Sequence, residues 1–215
     1  MIVLAIHTAG PACEVTIWRD GHVVAHVREA MLRGQDVRLP DLVAQACDKA
    51  GMSLNEINRF AVVTGPGSFT GVRVGVSFAR GLALATGAPC LGITSLEAAL
   101  PQGQQGSAIV ILPAQRRAPD ITYWTQRFRS SVATGPAEEM RLEDLAALLT
   151  AHPHMVYGNG AALIEAIPDL HITLATPSAT RAAELAAIFE PPAHPPRPTY
   201  ARAPDALLPG GKTAP

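Results

Sequence analysis

The stretch that most constrains the fold runs from Thr64 to Gly87 and reads TGPGSFTGVRVGVSFARGLALATG. Residues 59–63 before it are apolar and rich in β-branched side chains, which predicts a short buried strand. Residues 72–85 lack proline and contain mostly residues that are compatible with a helix. The sequence therefore predicts a strand, a glycine-rich turn and a helix.

The glycine-rich turn is a candidate for binding a phosphate group. Ser68 or Thr70 can cap the helix by accepting a hydrogen bond, and the remaining N–H groups at a helix start attract anions. The turn nevertheless has no lysine of a G-x-x-x-x-G-K-[ST] loop and no ribose-binding acid of a G-x-G-x-x-G unit. Such a turn also occurs where it serves tight packing alone. The candidate residues for a nucleotide or interface turn are Gly65, Gly67, Ser68, Phe69, Thr70, Gly71 and Arg73.

The helix after the turn carries two stripes of small residues. The positions fall four apart, so another backbone can approach either stripe closely. Most of the other side chains are apolar, so the helix should be covered on several sides. It is either a central core helix or a helix whose second face packs against another subunit. The stripes are Gly71, Gly75, Ala79 and Ala83, and Ser77, Gly81 and Ala85.

Length and composition suit an ordinary globular protein of one large domain or two small lobes. The chain has 215 residues, of which 48% are hydrophobic, with a net charge of −1. Tight binding of nucleic acid by this chain alone is not expected, because affinity for a phosphate backbone depends on positive surface charge. No run approaches the roughly 18 apolar residues of a membrane span, and no leader pattern is present, which predicts a cytoplasmic protein. Three separated cysteines without a C-x-x-C motif favour reduced, buried thiols.

The remaining elements follow from periodicity and turn residues. The Asp20-Gly21 pair predicts a hairpin within a three-strand meander, and residues 38–51 show one apolar helical stripe that ends at Gly51. Ser53 to Glu56 forms a predicted capping box, and Ser95 is expected to cap a helix that runs through Leu100. The predicted strands are 2–6, 13–18, 22–30, 90–93, 108–112, 121–128, 154–157 and 171–174, and the later helices are 142–151, 161–166 and 180–189.

Three segments together resemble the bacterial TsaB (YeaZ) family, a component of the tRNA threonylcarbamoyladenosine machinery. They are the glycine-rich GPGSFTGVRVG, the opening MIVLAIHTA and the closing PTYARAPDA. The resemblance is strong over residues 1 to about 100, weak through the middle and present again in the tail. It implies an actin-like, RNase H-like duplicated α/β fold with mixed sheets flanked by helices. The expected divisions are an N-terminal lobe (1–103), a smaller diverged lobe (104–190) and a proline-rich extended tail (191–215), which Tyr200 and Arg202 would anchor.

The resemblance also implies partners. The family docks through two helices onto a larger TsaD-type paralogue, or onto itself, and a TsaE-type ATPase joins at the same junction. tRNA would be bound only through the complex, and ATP or ADP is possible at the complex interface rather than tightly on this chain. The docking residues expected here are Leu39, Leu42, Val43, Ala46, Gly75, Ala79, Leu82 and Ala83. A charge at Ala79 or Ala83 should then block docking.

Three positions depart from the family pattern. His7 stands where the actin-like superfamily usually has the aspartate of the first turn, and a neutral imidazole does not replace a carboxylate ligand of Mg²⁺. Gly34 aligns near a position where the family usually carries a histidine. Pro113 to Pro119 replaces a segment that often contains Asp-Ala-Arg, so Arg116 or Arg117 could retain the arginine's role, although two arginines in a loop are commonly only solvated.

No catalytic constellation is predicted. The chain contains no G-x-S-x-G or H-E-x-x-H motif and no lysine near the glycine-rich turn. His22 and His26 should lie on a strand, about 13 Å apart and too far to share a metal. We therefore expect a non-catalytic scaffold subunit without a metal. The alternatives are a self-sufficient ATP-dependent kinase of the sugar-kinase superfamily and a homodimeric module with no role on tRNA.

Overall fold

The first half of the chain folds around a five-stranded mixed sheet. The structure, a computed structural model, describes residues 1–114, 120–152 and 154–199. The sheet has the order β3-β2-β1-β4-β5, in which β2 is antiparallel to its neighbours and the other strands run parallel. The elements are β1 (Ile2–His7), β2 (Ala12–Arg19), β3 (His22–Ala30), α1 (Gln35–Ala50), β4 (Arg59–Val63), α2 (Phe69–Thr86), β5 (Cys90–Ile93) and α3 (Ser95–Ala99).

The second half repeats this strand order in a smaller form. Its sheet runs β11-β10-β6-β7-β8, and β9 also pairs with β7, so that the central strands match those of the first sheet one for one. The elements are β6 (Ser107–Pro113), β7 (Thr122–Arg129), β8 (Val132–Ala133), β9 (Glu138–Arg141), α4 (Leu142–Ala151), β10 (Met155–Gly158), α5 (Ala161–Ala166), β11 (Ile172–Leu174) and α6 (Ala179–Ile188). The repeated order confirms the predicted RNase H-like, duplicated α/β fold.

Helix α6 links the two halves. It falls within residues 104–190, which the sequence assigns to the smaller lobe, but its alanines and Leu185 lie in the hydrophobic core of the first sheet. Helix α3 does the reverse, because Leu96 and Leu100 at its two ends pack with β6 and β7 of the second sheet. The two halves are therefore joined by exchanged helices as well as by the chain connection.

The structure corrects several local predictions. Helix α1 begins at Gln35 rather than Arg38, because the carbonyl of Gly34, the residue before it (φ 87°), already accepts a helical hydrogen bond from the Arg38 N–H at 3.1 Å. Thr94, not Ser95, caps α3: its hydroxyl accepts from the Glu97 N–H at 3.1 Å. Strands β8 and β9 were not predicted, since two to four residues that are exposed or half-buried give too short an alternation.

The proline-rich segment after α6 packs back onto the first sheet. A short 3₁₀ helix (Pro191–Ala193) is followed by extended chain that has no further regular element up to residue 199. The Gly92 N–H donates to the His194 carbonyl at 2.9 Å, and the Thr199 N–H donates to the Thr64 carbonyl at 2.8 Å. The predicted anchors, Tyr200 and Arg202, lie outside the described residues.

Candidate functional site

Hydrogen bonds within the chain fix the conformation of the glycine-rich turn. Ser68 caps α2 as predicted, with its hydroxyl accepting from the Gly71 N–H at 3.2 Å, while its own N–H donates to the Ala9 carbonyl at 2.8 Å. The Thr8 hydroxyl donates to the Gly71 carbonyl at 2.7 Å. Two of the amides that could have faced a phosphate are therefore used by the protein itself.

The glycines of the turn permit close contact with the loop after β1. A Cβ on Gly67 would lie 2.5 Å from the Ala9 carbonyl oxygen, and one on Gly71 or Gly75 would collide with Thr8. By contrast, a Cβ on Gly81 would meet nothing within 4 Å. The first small-residue stripe is thus covered at Gly71 and Gly75 by Thr8 of the loop after β1, whereas the second stripe lies exposed.

The first turn of α2 presents a small exposed cluster. The Arg73 guanidinium lies 3.7 Å from the centre of the Phe69 ring, in a cation–π contact, and 49% of Phe69 remains exposed. Thr70 beside them is exposed as well. These three members of the predicted turn lie at the surface, whereas Gly65 and Gly71 are buried.

A shallow apolar groove lies between α1 and α2. Its volume is about 400 Å³, and its lining is mostly apolar, with one carboxylate at the rim. Because large exposed apolar patches mark sites of association, this groove is a candidate for docking, although its own apolar area is small. The lining residues are Pro40, Val43, Ala44, Cys47, Asp48, Leu54, Phe78 and Leu82.

Most of the residues predicted to dock face the protein's own core instead. An amphipathic helix in a small domain turns its apolar stripe toward its own sheet, and only its flanks remain free. Val43 and Leu82 line the groove, and Ala83 is half-buried. A charge at Ala79, which is completely buried, would disrupt the fold rather than only docking. The core-facing residues are Leu39, Leu42, Ala46, Gly75 and Ala79.

His7 occupies a cleft between the two sheets. The cleft has a volume of about 250 Å³ and is also lined by Gly67 of the turn and by Trp124 of β7. Burial lowers the pKa of His7, against an opposing effect of Glu14, so the imidazole is neutral at pH 7. A neutral histidine at the end of β1 cannot replace a carboxylate ligand of Mg²⁺.

The remaining sequence candidates are two histidines and two arginines. His22 and His26 both lie on β3, and the Nδ1 atom of His26 is 2.9 Å from the Thr16 hydroxyl. In the described ranges, no group of three or more histidine, cysteine or acidic residues could hold a metal ion. Arg116 and Arg117 fall outside those ranges. Within the same part of the chain, no helix combines the length and apolar character that crossing a bilayer requires.

Sequence reasoning missed the groove and most of the cleft. Ala44 lies off the main apolar stripe of α1, so periodicity gave no reason to select it. Glu14, Arg28, Ser95 and Trp124 come from four separate elements, and no local spacing joins them. Only the repeated strand order, which places equivalent strand ends on either side of one cleft, could have indicated that they meet.

Comparison with known proteins identifies relatives for much of the chain. The family TsaD, tRNA N6-adenosine threonylcarbamoyltransferase, matches residues 28–118. The tRNA threonylcarbamoyladenosine biosynthesis protein TsaB of Escherichia coli is 37% identical over 142 residues, covering 65% of this chain and 60% of that protein. TsaB of Haemophilus influenzae is 35% identical over 98 residues, covering 46% of this chain and 41% of that protein.

Solved structures show the same fold over most of the chain. YeaZ from Pseudomonas aeruginosa superposes with a TM-score of 0.68 at 24% identity, covering 86% of this chain and 90% of that one. A second Pseudomonas aeruginosa protein, described as similar to peptidase YeaZ, gives a TM-score of 0.73 at 24% identity and covers 94% of this chain. The matched region spans 41% to 60% of the first two curated relatives. With the glycine-rich turn and the duplicated fold, these similarities support the resemblance of this chain to the TsaB (YeaZ) family.

Proposed function

We propose that this chain is a non-catalytic scaffold subunit in the biosynthesis of tRNA N6-threonylcarbamoyladenosine, acting in the cytoplasm. It would bind a TsaD-type subunit and support that subunit as it modifies the adenosine next to the anticodon. The names of the curated relatives support the assignment of this chain to that biosynthetic process. The proposed scaffold role rests on the groove between α1 and α2.

The groove and the surface beside it have the properties of a docking site. Phe78 and Leu82 are only half-buried, and Leu84 is 87% exposed, so α2 presents apolar side chains to solvent. The exposed stripe that contains Gly81 runs along the same helix and lets another backbone approach closely. A paralogue with a matching pair of helices would cover both features, and a second copy of this chain would do so when the paralogue is absent.

The cleft supports a non-catalytic role. His7 is buried and neutral, and Glu14 already accepts a hydrogen bond from Arg28 at 3.1 Å, so no free carboxylate pair faces the cleft from these strands. In this scheme the TsaD-type subunit supplies the metal and the reacting groups. A TsaE-type ATPase and ADP or ATP would join at the subunit interface. The kinase alternative is not favoured by the relatives.

Reconstitution of the modification reaction tests this function. Purified TsaD-type and TsaE-type proteins are incubated with threonylcarbamoyl-adenylate and unmodified tRNA, with or without this chain, and modified adenosine is measured by mass spectrometry. We expect product only when all components are present and none with this chain alone. Undiminished product in the absence of this chain would contradict the scaffold role, and phosphotransfer by the isolated chain would revive the kinase alternative.

A further inference from the structure

A shallow hollow lies in the seam between the last turns of α2 and the start of β5. Its volume is about 460 Å³, and its lining consists of Arg80, Gly81, Ala83, Leu84, Ala88 and Cys90. Leu84 is 87% exposed. Arg80 is also exposed, and it pairs with no carboxylate among the residues that the structure describes. The hollow therefore suits a segment that combines large apolar side chains with a negative charge.

The chain's own proline-rich segment already fills the neighbouring part of this seam. The Gly92 N–H donates to the His194 carbonyl at 2.9 Å, and a Cβ on Gly92 would lie 2.7 Å from the Pro195 carbonyl oxygen. Residues two apart on a strand face the same side, so Cys90 in the hollow lies on the face of β5 that Pro195 covers. The hollow thus continues a surface that the C-terminal segment covers elsewhere.

The described chain ends close to the start of α2. The Thr199 N–H donates to the Thr64 carbonyl at 2.8 Å, and the hydroxyls of the two residues lie 3.1 Å apart. A Cβ on Gly65 would lie 3.1 Å from the Thr199 carbonyl oxygen and 3.3 Å from the Val72 side chain. The sixteen residues that follow, 200–215, therefore continue from the far end of the seam from the hollow.

These residues are long enough to return to the hollow. The register of β4 and β5 places Thr64 level with residue 94, which is four residues, or about 13 Å, along β5 from Cys90. Leu207 follows Thr199 by eight residues, which span up to about 26 Å when extended. A turn of about four residues leaves about 13 Å of chain, which matches the distance back to the hollow.

The chemistry of this segment matches that of the hollow. Beyond Tyr200, the large aliphatic side chains of the sequence are Leu207 and Leu208, and its acidic side chain is Asp205. The charge of Arg80 lies close enough to Cys90 to oppose the effect of burial on the pKa of that thiol. The hollow and residues 205–208 therefore each combine apolar surface with one charge, and the two charges are of opposite sign.

We propose that residues 205–208 dock into the hollow between α2 and β5. Leu207 and Leu208 would pack against Leu84, and the Asp205 carboxylate would pair with Arg80. The contact would remove an apolar surface of the free chain from water. It forms within one chain and does not depend on the proposed scaffold function, although a subunit that covered Leu84 would first have to displace it.

Disulfide trapping in the full chain tests this contact. In an Ala206→Cys variant, mild oxidation should link residue 206 to Cys90, because docking brings the two Cα atoms toward the separation of about 4.4–6.8 Å that a disulfide needs. Thr213→Cys, farther along the same segment, is the matched control. Peptide mapping by mass spectrometry identifies which cysteines are linked. We expect at least ten times more linkage to Cys90 from residue 206 than from residue 213.

Second substitutions in the Ala206→Cys protein test the two kinds of contact. Replacing both Leu207 and Leu208 by serine should lower the linkage about tenfold or more, because the apolar burial is lost. Arg80→Glu should lower it about twofold or more, and adding Asp205→Arg should restore it, because the pair is then reversed rather than broken.

Three results would overturn the proposal. The first is linkage from residue 206 no greater than from the Thr213→Cys control. The second is linkage that stays unchanged when both leucines are replaced. The third is linkage between two chains that rises with protein concentration, which would assign the hollow to a second copy. If Arg80→Glu has no effect, or if Asp205→Arg does not restore the linkage, the proposed ion pair is wrong.

Discussion

The substitution Ala44→Glu tests docking at the groove without disturbing the core. Ala44 lies on the exposed side of α1, so its replacement removes no buried contact. Glutamate and alanine both favour helices, and repulsion from Asp48 one turn later costs only about 0.2–0.5 kcal/mol. The free energy of unfolding should therefore fall by less than about 1 kcal/mol, which thermal or urea denaturation can verify.

The same substitution should reduce the free energy of binding to the partner far more than it reduces the free energy of unfolding. In a complex the new carboxylate would lie against Val43, Phe78 and Leu82, which offer it no hydrogen bond. An uncompensated buried charge costs about 3–5 kcal/mol, and each 1.4 kcal/mol is tenfold in affinity. We therefore expect affinity for the TsaD-type subunit, measured by calorimetry, to fall by about 100-fold or more.

A neighbouring substitution is the matched control. Gln45→Glu introduces the same side chain on the same helix, at an exposed position that does not line the groove. Its affinity should stay within about threefold of the unmodified protein, because the charge remains in solvent. If folded Ala44→Glu protein binds the TsaD-type subunit as well as this control does, the groove is not the docking site.

Three further predictions concern the turn, the cleft and the thiols. Gly67→Ala should destabilise the protein by about 1–3 kcal/mol, because its Cβ meets a backbone carbonyl. Gly81→Ala, where a Cβ meets nothing within 4 Å, should stabilise the protein by up to about 1 kcal/mol. Equal melting temperatures of the two variants would refute the packing role of Gly67. Burial lowers the pKa of His7 in the folded state, so the unfolded chain takes up a proton first and stability falls as the pH drops below about 6.5. His7→Gln should reduce this slope between about pH 6.5 and 5 in urea denaturation, and an unchanged slope would contradict the assignment. Burial raises the pKa of Cys13 to about 11 and of Cys90 to about 12, so iodoacetamide at about pH 7.5 should alkylate the folded protein far more slowly than the denatured one, as mass spectrometry would show.

The sequence predicted the fold well where local signals agree with tertiary packing. The Asp20-Gly21 hairpin, strand β4, the Ser68 cap of α2 and the Gly51 end of α1 all appear as predicted. In each case a turn or cap residue lies beside a clear apolar period, so one signal supports the other. The short strands β8 and β9 lack such a period and could not be predicted.

The candidate site could be predicted only in part, because its surfaces depend on how elements meet. Periodicity identified the apolar stripe of α1, but it could not tell which stripe the sheet would cover. As a result Leu39 and Ala46 were expected at an interface, whereas they lie in the core, and Ala44 at the groove was missed. Likewise, Ser95 and Trp124 meet His7 only because the two sheets close on one cleft.

The most direct test of the scaffold proposal is the mass of the complex in solution. This chain and the TsaD-type protein from the same cell are co-purified and analysed by size-exclusion chromatography with light scattering. A stable heteromer that is lost with Ala44→Glu and retained with Gln45→Glu is the predicted result. Separate elution of the two unmodified proteins, across a range of salt and with and without ATP or ADP, would contradict the proposal.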